Sequence, residues 1–581
     1  MHQSFKKQGL LSFLLFITMQ MLFAQTDWKL KLNGGFPHEM TSDSSGNVYV
    51  VGVIQSIVDF DPGFGVFTLT PYLLPNGSYT TSMYIAKYSA TGLFLWAKGI
   101  HATDYEDYLF SSGDNIIRDI KVDNANNLYI TGCFFKKVDF NPDTGTFIVN
   151  GRSDDSFLLK LDSDGAFQWV KTWGGEQYIL NNDADMGVSL AVNDSLVYVT
   201  GFFSSTTDFD PGSGTAVLSP NESDTYVCKF DAEGNFRWVR SWGNNGSNTY
   251  PNCIGIQSNG NVIVAGSFSG SVDFDNSEGT AILTSGFNIS WPNAFLIKLD
   301  PNGGLMDAGA LISNRFSFIN SFVIDTENSI YCSGTYAGET DFDPDADSLI
   351  VVGDLSTLST QSRSYLCKFN SDCSLYWVNT DSTDFFNFTY LDLDLKNNTI
   401  LLSGFSNPNS VSSPDEKMTF AQYSPSGENT RRIVLNETGV RSKAISSSII
   451  DENTIYTVGF FVGSIDFDSG PGIDTLQSEG TIRRTCIAKL NLDQGEITSI
   501  QNQGGKNQVH IYPNPSSGFL ILHHPIAANK IYISDQMGKL VLAVQPDQGF
   551  ETRFYLPDPG VYFATIVYEN HIVTQKFLVS N

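Results

Sequence analysis

Six times along this chain a glycine is followed seven residues later by an aspartate: Gly52 and Asp59, Gly132 and Asp139, Gly201 and Asp208, Gly266 and Asp273, Gly334 and Asp341, Gly459 and Asp466. A spacing kept through six copies marks a repeated structural unit, and it restricts the chain to folds that stack or ring copies of one small element. Each glycine closes a strand–turn–strand pattern such as IKVDNANNLYITG or IGIQSNGNVIVAG, with Asp, Asn or Gly at the turn and alternating flanks. A further copy at Gly404 keeps the glycine and lacks the aspartate.

A third strand follows, ending in lysine (Lys87, Lys160, Lys229, Lys298, Lys368, Lys489) or, in one copy, Gln422. A tight turn then leads to a fourth strand, which carries Trp96, Trp169, Trp238 or Trp377 in four copies. The last unit stops after its third strand, at CIAKLNLD, while DWKLKLNGG near the N-terminus is a fourth strand with no unit of its own. An open array would leave an unpaired edge at each end, and a ring removes both by seating the first strand in the last sheet. The sequence therefore predicts an all-β fold over residues 25–495: a seven-bladed β-propeller closed by the N-terminal strand, with roughly 67 residues per blade. The 43 Phe, 24 Tyr and 8 Trp supply its core.

The two ends read differently. Residues 1–24 combine Lys6 and Lys7 with a short apolar run to Phe23 and a small residue, Ala24, which is a signal-peptide pattern. No later run approaches 18 apolar residues, so no transmembrane segment is expected. Residues 496–508 form a polar linker, and 509–581 alternate strands with Gly/Pro turns, which predicts a small C-terminal β-sandwich.

VYVTG, FLLKLD and FQWVKTWGG resemble the bacterial seven-bladed propeller repeat, over nearly all of 26–495. The tail resembles the type A sorting domain of the type IX secretion system of Bacteroidetes. The resemblance rests on Tyr512, Pro513, Asn514, Pro515 and Gly518, then Asp535, Gly538 and Lys539, then Gly560 and Tyr562. It implies export in two steps, the type IX machinery as partner, and a destination in the medium or on the outer-membrane surface.

Acids outnumber bases 62 to 34, for a formal charge of −28, which excludes nucleic acid as a partner. Between the signal region and residue 509 the histidines are His38 and His101; no nucleophile motif accompanies either, and no phosphate loop or zinc motif is present. The seven cysteines sit mostly in strand-like runs as small apolar residues, with Cys367 and Cys373 the sequence-local pair. The Trp series is expected to pack between blades and the Lys series to snorkel or meet a carboxylate.

The aspartate motif, TTDFDPGSGT and its variants, is expected to form a projecting hairpin on one face of the ring. The second acid (Asp61, Asp210, Asp343) suits an Asx-capped turn before proline. The turn does not require the first acid (Asp59, Asp208, Asp341 and their counterparts). Two readings stand: a structural turn with a blade contact, or a weak calcium site from Asp59 and Asp61, Asp208 and Asp210, and above all Asp341, Asp343, Asp345 and Asp347. Like-charge repulsion at the spacing of the two acids, about 0.6 kcal/mol in water, does not demand a cation. The chain is thus expected to be a secreted or cell-surface, non-enzymatic binding protein for a glycan or protein ligand. The alternatives are a polysaccharide-binding adhesin and a hydrolase or lyase with its site at the propeller mouth.

Overall fold

The structure is a computed structural model describing residues 27–63, 65–74, 77–103, 115–175, 185–193, 195–244, 247–275, 277, 279–286, 291–344, 348–353, 362–380, 392–406, 416–467, 474–480, 482–492, 510–512, 519–523, 530–535, 540–544, 551–567 and 572–579. The expected signal peptide lies outside the described residues. The chain divides into a body ending at Gly495 and a tail, Glu496–Asn581. No α-helix occurs among the described residues.

The body is a series of four-stranded antiparallel units. The first is Phe36–Ser42, Val48–Ile54, Ser82–Tyr88 and Phe94–Ala102. The second is Ile116–Val122, Leu128–Asp139, Ile148–Leu161 and Phe167–Trp173. The third is Met186–Val192, Leu196–Phe203, Asp224–Asp231 and Phe236–Trp242. The fourth is Thr249–Ile256, Val262–Phe268, Asn293–Leu299 and Leu305–Ser313. The fifth is Phe316–Ile324, Ile330–Ala337, Arg363–Phe369 and Leu375–Asn379. The sixth is Asp392–Lys396, Thr399–Ser406, Lys417–Tyr423 and Asn429–Val434.

The seventh draws on both ends of the body. Asn436–Asp451, Thr454–Asp466 and Arg484–Asn491 pair in order, and Trp28–Leu32 pairs antiparallel with Arg484–Asn491, placing Trp28 opposite Lys489 and Leu32 opposite Thr485. The first strands of successive units adjoin one another in chain order, and Asn436–Asp451 adjoins Phe36–Ser42.

Second and third strands are buried almost throughout: every residue of Val48–Ile54, Ser82–Tyr88, Val262–Phe268 and Asn293–Leu299 is buried. Sheets covered on both faces carry near-continuous apolar runs, hence VYVVGVI and VIVAGSF. Fourth strands are mostly accessible: only Val170 and Trp173 are buried in Phe167–Trp173, and only Val239 and Trp242 in Phe236–Trp242. Neighbouring units share one core. Tyr129 and Leu158 of the second pack with Leu190, Val199 and Tyr226 of the third.

The tail holds two sheets. His510–Tyr512, Phe519–His523 and Glu551–Tyr555 form one. Leu540–Val544, Lys530–Asp535, Gly560–Val567 and Ile572–Val579 form the other. Leu522 and Phe554 of the first share a buried core with Ile531, Ile533, Ala564 and Ile566 of the second, which makes the tail a small β-sandwich.

Candidate functional site

The aspartate motif is a two-stranded hairpin, as in Thr207–Asp208 with Val217–Leu218 and Ser271–Asp273 with Ile282–Thr284. The first acid closes it through its side chain. Asp208 Oδ1 accepts from Asp210 N (3.1 Å) and from Ala216 N across the loop (2.8 Å). Asp59 does the same with Asp61 N and Phe67 N, Asp139 with Asn141 N and Phe147 N, Asp273 with Asp275 N and Ala281 N, and Asp341 with Asp343 N and Leu349 N. Asp466 accepts from Asp474 N at 2.8 Å.

The second acid holds the turn. Asp210 Oδ1 accepts from Gly212 N (2.8 Å), Asp61 from Gly63 N, Asn141 from Asp143 N and Asp275 from Ser277 N. The phenylalanine between them anchors the hairpin. Phe60, Phe140, Phe209, Phe274 and Phe342 are fully buried against Tyr84, Phe157, Tyr226, Phe295 and Tyr365 of the third strands, at 4.8–5.2 Å between ring centroids. Each such side chain contributes about 2–3 kcal/mol of apolar burial.

These charge-assisted hydrogen bonds to backbone give both acids of the Asp59, Asp208 and Asp273 copies a role in the hairpin itself, as the structural-turn reading expects. Asp345 and Asp347 lie outside the described residues. Among the described residues no group of three or more His, Cys, Asp or Glu is placed to hold a metal ion.

Hairpins and side chains tie each unit to its neighbour. His101 at the end of a fourth strand pairs with Asp139 of the next hairpin, and Ile312 with Asp341. The recurrent lysine reaches a carbonyl in the next unit's turn: Lys87 Nζ donates to Ser163 O (2.8 Å), Lys160 to Ala232 O (3.0 Å), Lys229 to Pro301 O (2.7 Å) and Lys298 to Ser371 O (2.6 Å). Lys87, Lys160 and Lys229 also lie over Tyr49, Tyr129 and Tyr198, about 5 Å from the centroids. Lys368 departs from the pattern: it bonds Tyr331 Oη and pairs with Asp325. The fourth-strand tryptophans cover positive-φ turn glycines of the following unit: Trp96 over Gly165, Trp169 over Gly234, Trp238 over Gly303 and Trp377 over Gly427. Cys367 faces Cys332 in the ladder, not Cys373, which occupies a turn at φ 70°.

The first strands of all the units line one cavity of about 960 Å³. In six of them a β-bulge follows the residue opposite the closing glycine. It sets off His38, Arg118, Val188, Asn252, Asn320 and Ile445, and all six line the cavity. The bulge explains the glycine. A Cβ on Gly52, Gly132, Gly201, Gly266, Gly334 or Gly459 would collide with the carbonyl of Phe36, Ile116, Met186, Tyr250, Phe318 or Lys443.

Below the bulges, register puts Glu39, Asp119, Ser189, Cys253, Ser321, Asp392 and Ser446 at one level, each opposite the residue that precedes a closing glycine. Lys121 and Asp394 follow two residues deeper. The acids bridge units. Asp119 takes Lys121 Nζ (2.7 Å), Ser189 Oγ (2.8 Å) and Leu190 N (2.8 Å). Glu39 accepts from Ser446 Oγ, Asp392 from Ser447 N (2.9 Å), and Asp394 from Ile449 N (2.6 Å) and Ser448 Oγ (3.2 Å).

Burial, with the nearby Asp392 carboxylate adding to it, pushes Glu39 up to about 8. Burial likewise raises Asp392 to about 6. Burial pulls Lys121 down, but Asp119 and Glu39 overcome it and hold the ammonium above its usual value. His38 Nδ1 sits 2.6 Å from Ile117 O; burial and then Arg118 lower its pKa despite that bond. Burial raises the Cys253 thiol well above the ordinary range.

His38 thus stands on the strand Phe36–Ser42 and lines the cavity. His101 is half-buried elsewhere, at the end of a fourth strand. Arg118, Glu39, Asp119, Lys121 and Asp392 carry no repeat signal in the sequence. In the tail, Tyr512 ends a strand, Asp535 is opposite Tyr562, Gly560 opens its strand and Tyr562 is buried. Pro513, Asn514, Pro515, Gly518, Gly538 and Lys539 lie outside the described residues.

Residues 510–580 match the family described as the secretion system C-terminal sorting domain. The tail is a type IX sorting domain. It marks this protein for export to the cell surface or beyond. A segment of 201 residues is 25% identical to an uncharacterized WD repeat-containing protein, L264, of Acanthamoeba polyphaga mimivirus; it covers 31% of this chain and 14% of that relative's length.

Solved structures with a similar arrangement include the Pan2 WD40 domain of Neurospora crassa (8% identity, TM-score 0.35, 80% of this chain and 95% of that chain). Another is PorZ, a bacterial surface component of the type-IX secretion system of Porphyromonas gingivalis (10% identity, TM-score 0.23, 94% of this chain and 82% of that chain). No helix among the described residues is long and apolar enough to cross a membrane.

Proposed function

We propose that this protein is an exported, non-enzymatic binding protein: a seven-bladed β-propeller, closed by its N-terminal strand, that receives a ligand in its central cavity. The ring reading is supported by the pairing of Trp28–Leu32 with Arg484–Asn491 and by the succession of first strands that returns from Asn436–Asp451 to Phe36–Ser42. The observation that carries the binding reading is the cavity itself, about 960 Å³ and lined by bulge residues that differ from unit to unit. A volume of that size suits a small ligand or one residue of a longer chain.

The engagement of the cavity's acids favours binding over hydrolysis. Asp119, Asp392 and Asp394 each accept a backbone N–H from the next unit, and Glu39 is held by Ser446. Groups that brace the ring in this way are not free to move protons at a substrate. The raised Cys253 thiol is likewise no nucleophile.

A glycan array probed with the mature full-length protein and with Val188→Trp, which fills the cavity from one side, tests the reading. Ligand retained by the wild type and lost by a normally folded variant is the expected result. Equal retention by both places the binding elsewhere, and turnover of a bound glycan overturns the non-enzymatic reading. Removing residues 510–580 is expected to hold the protein inside the cell envelope; normal appearance in the medium would sink the export route.

A further inference from the structure

We infer that the cavity mouth recognises the anionic group of an acidic saccharide, a uronate carboxylate or a sulfate ester. This inference rests on the binding reading above. It starts from an imbalance of charge. The chain has 62 acids and 34 bases, yet the bulge end of the cavity gathers Arg118, Lys443 and Arg483, with His38 among them. The three cations come from the second and seventh units and His38 from the first between them, so the positive charge occupies one sector of the rim.

Two of these cations have no carboxylate partner among the described residues. Arg118 is exposed, and its Nε has Met186 Sδ, a weak acceptor, at 3.1 Å. Arg483 is exposed and lies over the Phe460 ring, 4.1 Å from the centroid. Lys443 is partly offset by Glu416 at 3.4 Å. Both arginines line one cavity, and a guanidinium without a carboxylate is available to a planar oxyanion.

The rest of the lining indicates what carries the anion. Across the cavity stand Asn252, Asn320 and Ser321, neutral groups that donate to and accept from hydroxyls. Asn320 Oδ1 is buried and accepts no hydrogen bond among the described residues, so it awaits a donor. Phe36, Phe322 and Phe460 add apolar faces suited to the C–H face of a pyranose ring. One level deeper Asp119 and Asp392, and below them Asp394, repel an anion, which keeps it at the rim while its hydroxyl-bearing body reaches the neutral wall. A purely aliphatic acid would leave those amides and hydroxyls unused.

Calorimetric titration of the full-length protein with trigalacturonate, a sulfated disaccharide and neutral galactotriose tests this. Arg118→Gln and Arg483→Gln, both at exposed positions, are compared singly and together. Expected are binding of at least one anionic saccharide, at least tenfold tighter than the neutral one, and weakening between 50 and 300 mM NaCl. The double variant should lose at least tenfold for the anionic ligand and leave the neutral one unchanged. The first two probes separate carboxylate from sulfate.

Equal affinity for galactotriose, or no effect of either arginine, overturns the inference. So does displacement by inorganic sulfate or polyglutamate as effective as the saccharide. If galactotriose binds and Val188→Trp abolishes that binding, the cavity reading survives while the anionic inference falls.

Discussion

The indole of Trp28 lies against Gly92, where a Cβ would stand 2.6 Å from the ring, and its Nε1 donates to Ala90 O at 3.0 Å. Gly92 has φ 80°. This is the arrangement that Trp238 makes with Gly303 and Pro301 O, and Trp377 with Gly427 and Pro425 O. The N-terminal strand thus reproduces the inter-unit contact of interior fourth strands, which is what the proposed closure requires. Trp28→Ala should cost about 2 kcal/mol, since the ring is half-buried. Deleting residues 27–33 should cost far more. Thermal unfolding checks both, and an unchanged midpoint for the deletion would count against closure.

The closing glycines should tolerate no side chain. Gly201→Ala sets a methyl against Met186 O and the Tyr226 hydroxyl, both fixed in the sheet. Relief requires undoing the bulge, which would withdraw Val188 from the cavity. The expected loss is about 2–4 kcal/mol. Gly77→Asn is the control: it has φ 83° with nothing within 4 Å, and asparagine accepts that conformation at small cost. Equal destabilisation by the two would refute the steric account.

Much of this was legible before any coordinates. The glycine-to-aspartate spacing fixed the unit, and FLLKLD and FQWVKTWGG marked third and fourth strands. The second acid was readable as an Asx turn because its partner is two residues away. The first acid was not, because its second donor, as with Asp208 and Ala216, lies eight residues on across a loop of variable composition. The lysine's partner was not readable for a related reason: its acceptor is a carbonyl more than seventy residues distant, as for Lys87 and Ser163, and carbonyls leave no mark in a sequence. The cavity was least legible. His38, Arg118, Val188, Asn252, Asn320 and Ile445 occupy one structural position and share no chemistry, so the repetition that reveals the scaffold hides the site.

The hairpin reading of the aspartates separates cleanly from a calcium reading. Asp208→Asn keeps an Oδ1 acceptor for Asp210 N and Ala216 N and should cost under about 1 kcal/mol, whereas Asp208→Ala should cost about 2. Chelation with EDTA should leave the unfolding midpoint unchanged. A chelator-induced drop, together with equal damage from the Asn and Ala variants, would restore the cation.

The cavity carboxyls should make stability fall as pH rises. Glu39 is raised from 4.5 to about 8 and Asp392 from 3.8 to about 6, in both cases first by burial. A carboxyl whose pKa is higher in the folded state holds its proton more tightly there. Its contribution is therefore full below the unfolded value and is lost as pH climbs through the folded one. For Asp392 that window runs from about 4 to 6 and for Glu39 from about 4.5 to 8. Asp155, Asp185 and Asp224, each raised by burial to about 6, add in the same direction. The midpoint should thus be higher at pH 5 than at pH 8. Glu39→Gln keeps an acceptor for Ser446 and cannot ionise, so it should flatten the slope between about pH 4.5 and 8 while leaving the slope below about pH 4 unchanged. Overall self-repulsion of an acidic protein also grows with pH, but one neutral substitution among 62 acids barely alters it. A slope untouched by Glu39→Gln would assign the whole effect to net charge and remove Glu39 from the account.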